Sequence, residues 1–501
     1  MRNRKLISNT VSSLLLQVTT IICGFILPRL VLHYYGSEVN GLVNSITSFL
    51  SIISFLDLGV GAVYQSSLYK PLAENDSDSL SKIYVSGQKF FAHLAEILVG
   101  YVIVLMLIYP FISHQSFNSF YTAALIFSIS ISFFVQYYFG MANGLLLTAD
   151  QKGYLSNNLQ IVSLVLSTII SFALIRFGAS IILVKLIASF IFLVKPILLK
   201  IFVNKNYKID YEIHYQEEPI SQKWNGLAQH VTSVILESTD AVVLTAFSSM
   251  SNVSIYSVYN LVVTGVRQLF TATTSGIQAL IGELYAKRDV KELNRVFSWV
   301  EWIVHTASTF VFGCTQVLIV PFVLIYTSGV TDADYNQPEF ALLFVLAYTA
   351  YCYRLPYHIA IKAGAHYKQT QSCYLIASVI NIVTSIVGVK LMGIDGIAIG
   401  TLVAMIYQTV WMAWYNSKNI IYWPFSHVLR QICVDLIVFV IGYLLTHMLV
   451  LSEYSYYAWV VLSIKTALIW LGVSCTINLI FYHDMMLRLW RSIKKKIIPG
   501  R

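Results

Sequence analysis

Charge is what this chain has least of. Only 11% of its 501 residues are Asp, Glu, Lys or Arg, where soluble domains carry about 25%. Hydrophobic residues make up 57%, and mean hydropathy is +0.69. A soluble globular enzyme is excluded at this step, and a polytopic membrane protein is the expectation. The six cysteines, Cys23, Cys314, Cys352, Cys373, Cys433 and Cys475, are scattered, with no CxxC and no Cys/His cluster. Neither structural zinc nor a disulfide framework is indicated. The phosphate loop GxxxxGK[ST], the zinc motif HExxH and a nucleophile elbow are all missing. GVGAVY at Gly59 lacks the third glycine of a dinucleotide site and sits inside an apolar run. The chain also lacks a large loop on the side we read as outer, where the longest connection is roughly 10–15 residues. That disfavours a membrane polymerase or ligase, and no enzymatic site is expected.

What is present is a series of long apolar runs. About fourteen meet the spanning length of roughly 20 residues, the first over 9–35 and the last over 456–482. The N-terminal RNRK followed by an apolar run could pass for a signal peptide, but the run is too long for one and reads as a retained first span. The formal charge of +9 does not mark a nucleic-acid binder, because the basic residues are spread over short loops on alternate sides. Arg2, Arg4 and Lys5 share one side with Lys70, Lys82 and Lys89, with Lys195 to Lys223, with Lys287 to Arg295, and with the tail from Arg488 on. The opposite loops, such as SHQSFNS and TSGVTDADYNQ, carry none. The positive-inside rule then puts both termini in the cytoplasm, in the cell membrane. The tail RLWRSIKKKIIPGR suits the anionic inner leaflet.

The chain also compares with itself at an offset of about 212–216 residues, the reach expected of a duplicated bundle. YYGSEVNGLVNS resembles AFSSMSNVSIYS, and NGLLLTADQKGYLSNN resembles HIAIKAGAHYKQTQSC. The fold class read from this is an all-α polytopic membrane protein with two pseudo-symmetric six-helix bundles plus two C-terminal helices. The expected limits are 1–205 for the N-lobe, 206–425 for the C-lobe, and 426–501 for the last two spans and the basic tail. Two parallel repeats around a central cavity suit a transporter working by alternating access.

Charges inside the spans mark where such a cavity lies. A charge in a spanning helix costs about 2.5–3.5 kcal/mol on insertion scales, so it faces a watery interior or a partner. Arg29, Asp57, Glu237, Asp240 and Arg267 form the candidate cavity set. Under the repeat, Arg29 corresponds to the neighbourhood of Asp240, and Asp57 to a position one turn from Arg267. Each has a structural alternative: Arg29 near its helix end snorkels to headgroups, Asp57 caps a break before Gly59, and Asp240 with Glu237 forms a network between helices. Lys185 and Lys465 read as snorkelling lysines. His93, Glu96 and Asp435 read as solvated helix ends. Arg354 and Lys362 belong to the inner basic set and are candidate headgroup contacts. Gly24 and Pro28 form a candidate hinge, because Pro28 removes a backbone donor and crowds the carbonyl of Gly24.

Three segments carry a family resemblance. LPRLVLHYYGSEVNGLVNSITSFLSIISFLDLGVGAVYQ in spans 1–2, LTADQKGY after span 4 and YRLPYHIAIKAGAHYKQTQ around span 10 resemble the polysaccharide-transporter, Wzx-like flippases. These are members of the multidrug/oligosaccharidyl-lipid/polysaccharide (MOP) exporter superfamily. The resemblance implies two six-helix lobes with lateral openings and helices 13–14 at the side. It implies flipping of a polyprenyl-diphosphate-linked oligosaccharide to the outer leaflet for capsule, O-antigen or exopolysaccharide assembly. Partners would be that lipid-linked glycan, the bilayer, and a polymerase or other assembly proteins. In the related lipid II flippases, arginines on helices 1 and 8 face the cavity, and Arg29 and Arg267 occupy those helices here. No cofactor is expected, and coupling to H⁺ or Na⁺ is left open. A drug/cation antiporter of the same superfamily and a lipid II-type flippase stand as alternatives.

Overall fold

The computed structural model describes residues 2–53, 55–113, 117–215, 227–272 and 274–497. Among them there is no strand. In chain order the helices are α1 (Arg2–Ile52), α2 (Phe55–Glu74), α3 (Ser77–Ile112), α4 (Ser119–Val135), α5 (Met141–Ala149), α6 (Gly153–Arg176), α7 (Ile181–Phe192), α8 (Val194–Asn206), α9 (Leu227–Phe247) and α10 (Met250–Ala272). They continue as α11 (Thr274–Ala286), α12 (Val290–Tyr326), α13 (Pro338–Tyr353), α14 (Leu355–Ala363), α15 (Tyr367–Met392), α16 (Ile394–Asn419), α17 (Ser426–Thr446), α18 (Tyr456–Phe481) and α19 (His483–Ile497). One π-helical turn, Gln136–Gly140, joins α4 to α5.

Among the described residues ten helical stretches are long and apolar enough to cross a membrane, which makes this a multi-pass membrane protein. Four of the fourteen runs read from the sequence fall on shorter or more polar helices. The run at 40–66 is split between the end of α1 and α2, and that at 224–247 lies on α9, whose apolar part is Ser238–Phe247. The runs at 252–284 and 338–362 are each carried by two helices, α10 with α11 and α13 with α14. These four runs hold Asp57, Glu237 with Asp240, Arg267, and Arg354 with Lys362.

Large apolar side chains such as Leu107, Phe111, Leu391 and Ile480 stand exposed on the helix surfaces. In water that would be a liability, but against acyl chains it is the required surface.

The chain divides into two compact units, residues 1–257 with 329–333, and residues 258–328 with 334–501. In the first, Tyr64, Leu68, Tyr84, Phe91, Leu146 and Val203 form a core between α2, α3, α5 and α8. Helix α1 stays helical through Gly24 and Pro28, and its non-helical residue is Gly36, at φ 84°. Glycine is required there, since an L side chain rarely adopts that φ and an added Cβ would sit 2.7 Å from a carboxylate oxygen of Asp332. Asp332 restarts the helix: its two oxygens accept from the Ser37 amide (2.7 Å) and the Ser37 hydroxyl (2.6 Å), supplying the orphan donors of a helix start.

The second unit has one core around Phe297, Tyr357, Met412 and Ile421. A second forms where Trp470 of α18 is wholly buried against Gly313 of α12 and Gly442 of α17. The indole is wider than any neighbour on those two helices would permit if either glycine carried a side chain. Small residues thus set the approach of α12, α17 and α18, as they do in membrane bundles generally.

Candidate functional site

In the second unit the spacing of α10 puts Asn260, Thr264 and Arg267 on one helix face. The Tyr348 hydroxyl of α13 donates to Asn260 Oδ1 at 2.9 Å, and Thr264 Oγ1 donates to the same oxygen at 3.0 Å. This fixes Tyr348 and Tyr351, one turn apart on α13, beside Arg267. The Arg267 guanidinium carbon lies 5.8 Å from the Tyr348 ring centre and 5.0 Å from that of Tyr351.

A second guanidinium, that of Arg354, lies 4.4 Å from the same Tyr351 ring. Its position follows from Pro356, which has no N–H to continue α13 and sits in the first turn of α14. Arg354 joins α13 to α14 with helical torsions, φ −67° and ψ −27°. The sequence placed Arg354 in the inner basic set as a candidate headgroup contact; in the structure it is 5% exposed and belongs to the interior of the unit. Among the described residues no carboxylate pairs with it, and its Nε has no acceptor. Each ring stabilises its cation by about 0.5–2 kcal/mol, increasing as water is excluded. The result is a pair of guanidiniums sharing one tyrosine, with Lys362 half-buried two turns further along α14.

In the first unit, Asp240 of α9 is buried and accepts from the Tyr256 hydroxyl at 3.4 Å. The same unit carries a seam of hydroxyls and amides. Asn40 donates to Ser254 (2.8 Å), Ser45 and Thr245 are 2.5 Å apart, and Tyr109 donates to Ser45 at 2.6 Å. Arg29 is half-buried on α1 with Gly24 and Pro28 in the same helical segment. The side chains of Asp57 and Glu237 lie outside the described residues. A separate pocket of about 320 Å³ lies along the π-helical turn, with Gln136, Gln160 and Lys195 in its lining beside Phe133, Met141 and Phe192. Lys195 Nζ donates to Gln160 Oε1 at 3.0 Å.

The LTADQKGY loop ties the start of α1 to the α5–α6 connection. Asp150 accepts from Lys152 Nζ (2.6 Å) and the Tyr207 hydroxyl (2.6 Å), and Lys5 lies 3.6 Å away. Partial burial would raise the Asp150 pKa. The hydrogen bonds from Lys152 and Tyr207 and the charges of Lys152 and Lys5 outweigh it and hold the carboxyl below its usual range.

Two sequence readings separate in the structure. His93 and Glu96 pair on an exposed face of α3, as solvated residues do. Asp435 does not share that fate. It is 3% exposed and bonded to His305 of α12, because its position on α17 faces α12 rather than water. Tyr348, Tyr351, Glu301 and His305 were not singled out from the sequence. The repeated tyrosines of YTAYCYRLPY, and the i,i+4 spacing of Glu301 and His305 inside an apolar run, are the signals that could have found them.

With the geometry in place, the chain can be compared with known proteins. No family profile and no curated protein sequence matches it. Solved structures do. A lipid II flippase, MurJ, in an inward closed conformation superposes with a TM-score of 0.71 over 96% of this chain and 100% of its own, at 15% identity. An inward-facing multidrug resistance MATE family transporter of the MOP superfamily gives 0.62 over 80% and 95%, at 13% identity. The chain has the fold of these solved structures. A eukaryotic MATE transporter shares it with a TM-score of 0.56, over 82% of this chain and 95% of its own at 12% identity. These similar structures are of transporters and a flippase.

Proposed function

We propose that this protein flips a polyprenyl-diphosphate-linked oligosaccharide from the inner to the outer leaflet of the cell membrane, with both termini in the cytoplasm. The observation that carries this reading is the Arg267–Tyr351–Arg354 arrangement. The buried Arg354 cation, with no carboxylate beside it among the described residues, is costly in the resting protein, and an anionic ligand removes that cost. A diphosphate offers oxygens that two guanidinium forks engage bidentately. A drug/cation antiporter shares the fold, but two guanidiniums on one ring repel a cationic substrate. The likeness to a lipid II flippase supports a lipid-linked diphosphate as the substrate class. The glycan part suits capsule, O-antigen or exopolysaccharide assembly, with a polymerase acting next.

The test is flipping of a fluorescent polyprenyl-diphosphate glycan in proteoliposomes. Arg267→Ala is expected to abolish it while membrane insertion and folding persist. Undiminished flipping by that variant, or efflux of cationic dyes by the wild type, would remove the proposal.

A further inference from the structure

The second unit holds three titratable groups that the anion site does not use. Glu301 and His305 lie one turn apart on α12, and Asp435 faces them from α17. All three are buried. His305 Nδ1 is 2.8 Å from Asp435 Oδ2, and His305 Nε2 is 3.5 Å from the Tyr357 hydroxyl of α14. That hydroxyl donates to Glu301 Oε1 at 2.6 Å. The four side chains therefore form one hydrogen-bonded chain, Asp435–His305–Tyr357–Glu301.

Every other group packed on this chain is neutral or held elsewhere. Asp435 Oδ1 accepts from Gln431 Nε2 (3.1 Å) and Thr309 Oγ1 (3.2 Å). Tyr353 of α13 stacks on the His305 ring, centres 4.4 Å apart, with its hydroxyl 2.6 Å from Thr309. From α18 and its end come Asn478, which accepts from Trp302 Nε1 at 2.8 Å, and Tyr482. The nearby arginines face away: Arg354 lies over Tyr351, and Arg430 lies 5.1 Å from the Tyr482 ring centre and donates to the Phe481 carbonyl. Among the described residues, no lysine or arginine pairs with Glu301 or Asp435.

Charge counting then decides what the cluster holds. With both carboxylates ionised and the imidazole neutral, the cluster carries two negative charges in the membrane interior. Protonating His305 leaves one. Neutrality needs two exchangeable protons over the three groups, either imidazolium with one carboxylic acid or two carboxylic acids with neutral imidazole. Buried groups of this kind settle their protonation jointly, and titrate as one unit.

We propose that Asp435, His305, Tyr357 and Glu301 form a proton-binding site, taking up and releasing one proton as the transporter cycles. The hydrogen-bonded order lets the proton pass between Asp435 and Glu301 through His305 and Tyr357; the passage leaves His305 in its other tautomer and the Tyr357 hydroxyl proton on the His305 side, and the reverse passage, or a ring flip with hydroxyl rotation, resets the chain. Coupling to transport rests on the reading above; proton binding does not.

The test uses the full-length protein in lipid and no transported substrate. Infrared difference spectra between acid and alkaline pH are expected to show a protonated carboxylic-acid band that bleaches as pH rises. The band is expected to be lost in Glu301→Gln or Asp435→Asn. In His305→Gln its midpoint should move by roughly one pH unit or more, since the charge beside Asp435 is gone. Tyr357→Phe keeps the ring and the fold, and should change the titration by cutting the link to Glu301. A band that persists in both carboxylate variants, a titration unaltered in Tyr357→Phe, or a response to Na⁺ replacing K⁺ rather than to pH would overturn the proposal. Because flipping is not read, loss of flipping in Arg267→Ala with an intact titration leaves this site standing, and the converse result leaves the anion site standing.

Discussion

Replacing Arg354 with methionine separates an anion-binding role from a packing role, because the two predict opposite signs for stability. The guanidinium is buried, its Nε lacks an acceptor, and no described carboxylate pairs with it. A buried ion left in this state costs several kcal/mol even after the surroundings relax. The Tyr351 ring at 4.4 Å returns about 2 kcal/mol in a desolvated setting. Methionine fills a similar volume and asks for no partner, so Arg354→Met should stabilise the ligand-free protein by about 1–3 kcal/mol. For a unit of this size each kcal/mol is worth roughly 2–4 °C in Tm, so thermal unfolding in detergent should shift upward by several degrees. Flipping of the fluorescent diphosphate lipid should fall to background in the same variant. A methionine variant that unfolds earlier than wild type, or one that flips normally, would show that Arg354 is a packing residue and that the reasoning from an uncompensated charge is wrong.

Other expectations follow from the same geometry. Arg267→Lys keeps the charge and loses the fork, and should cost about 1.5–3 kcal/mol of ligand interaction, a roughly ten- to hundredfold drop in flipping rate. Gly313→Ala should destabilise by about 1–3 kcal/mol through collision with the Trp470 indole, and Trp470→Leu in the same chain should recover most of that loss in a melting assay. The Asp150 carboxyl is held below its unfolded value, so its stabilising effect is complete above the unfolded pKa and disappears as pH falls through the folded one. Being partly exposed, the cluster is worth only about 0.5–1 kcal/mol. Asp150→Asn should accordingly lower stability slightly at neutral pH and flatten its acid dependence below about pH 4, read by unfolding midpoints across that range.

Much of the fold was legible because the membrane imposes a strong pattern. Long runs without charge have few alternatives, and ten of them are helices of spanning length. The four remaining runs were read as spans too, and the structure carries them on paired or partly described helices. Arg267 stood out in the sequence because a mid-span arginine has no cheap structural explanation. Arg354 did not, because Pro356 next to it reads as the end of a helix, and a basic residue at a helix end reads as topology. Nor did the Asp435 environment: its partner His305 is 130 positions away, and nothing local distinguishes a carboxylate facing another helix from one facing water. Gly36 lay unmarked inside the repeat segment YYGSEVNGLVNS. The need for a positive φ there shows only once Asp332 is seen closing on the next helix.

The junction at Arg354 gives the seven residues from Tyr351 to Tyr357 an unusual reach. Tyr351 touches both guanidiniums, Tyr353 lies flat on His305, and Tyr357 bonds Glu301. If the anion and proton sites proposed above hold, a change of torsion at Arg354 would re-aim Tyr357 relative to Tyr351 and Tyr353, and the two ligands would communicate through a few backbone torsions.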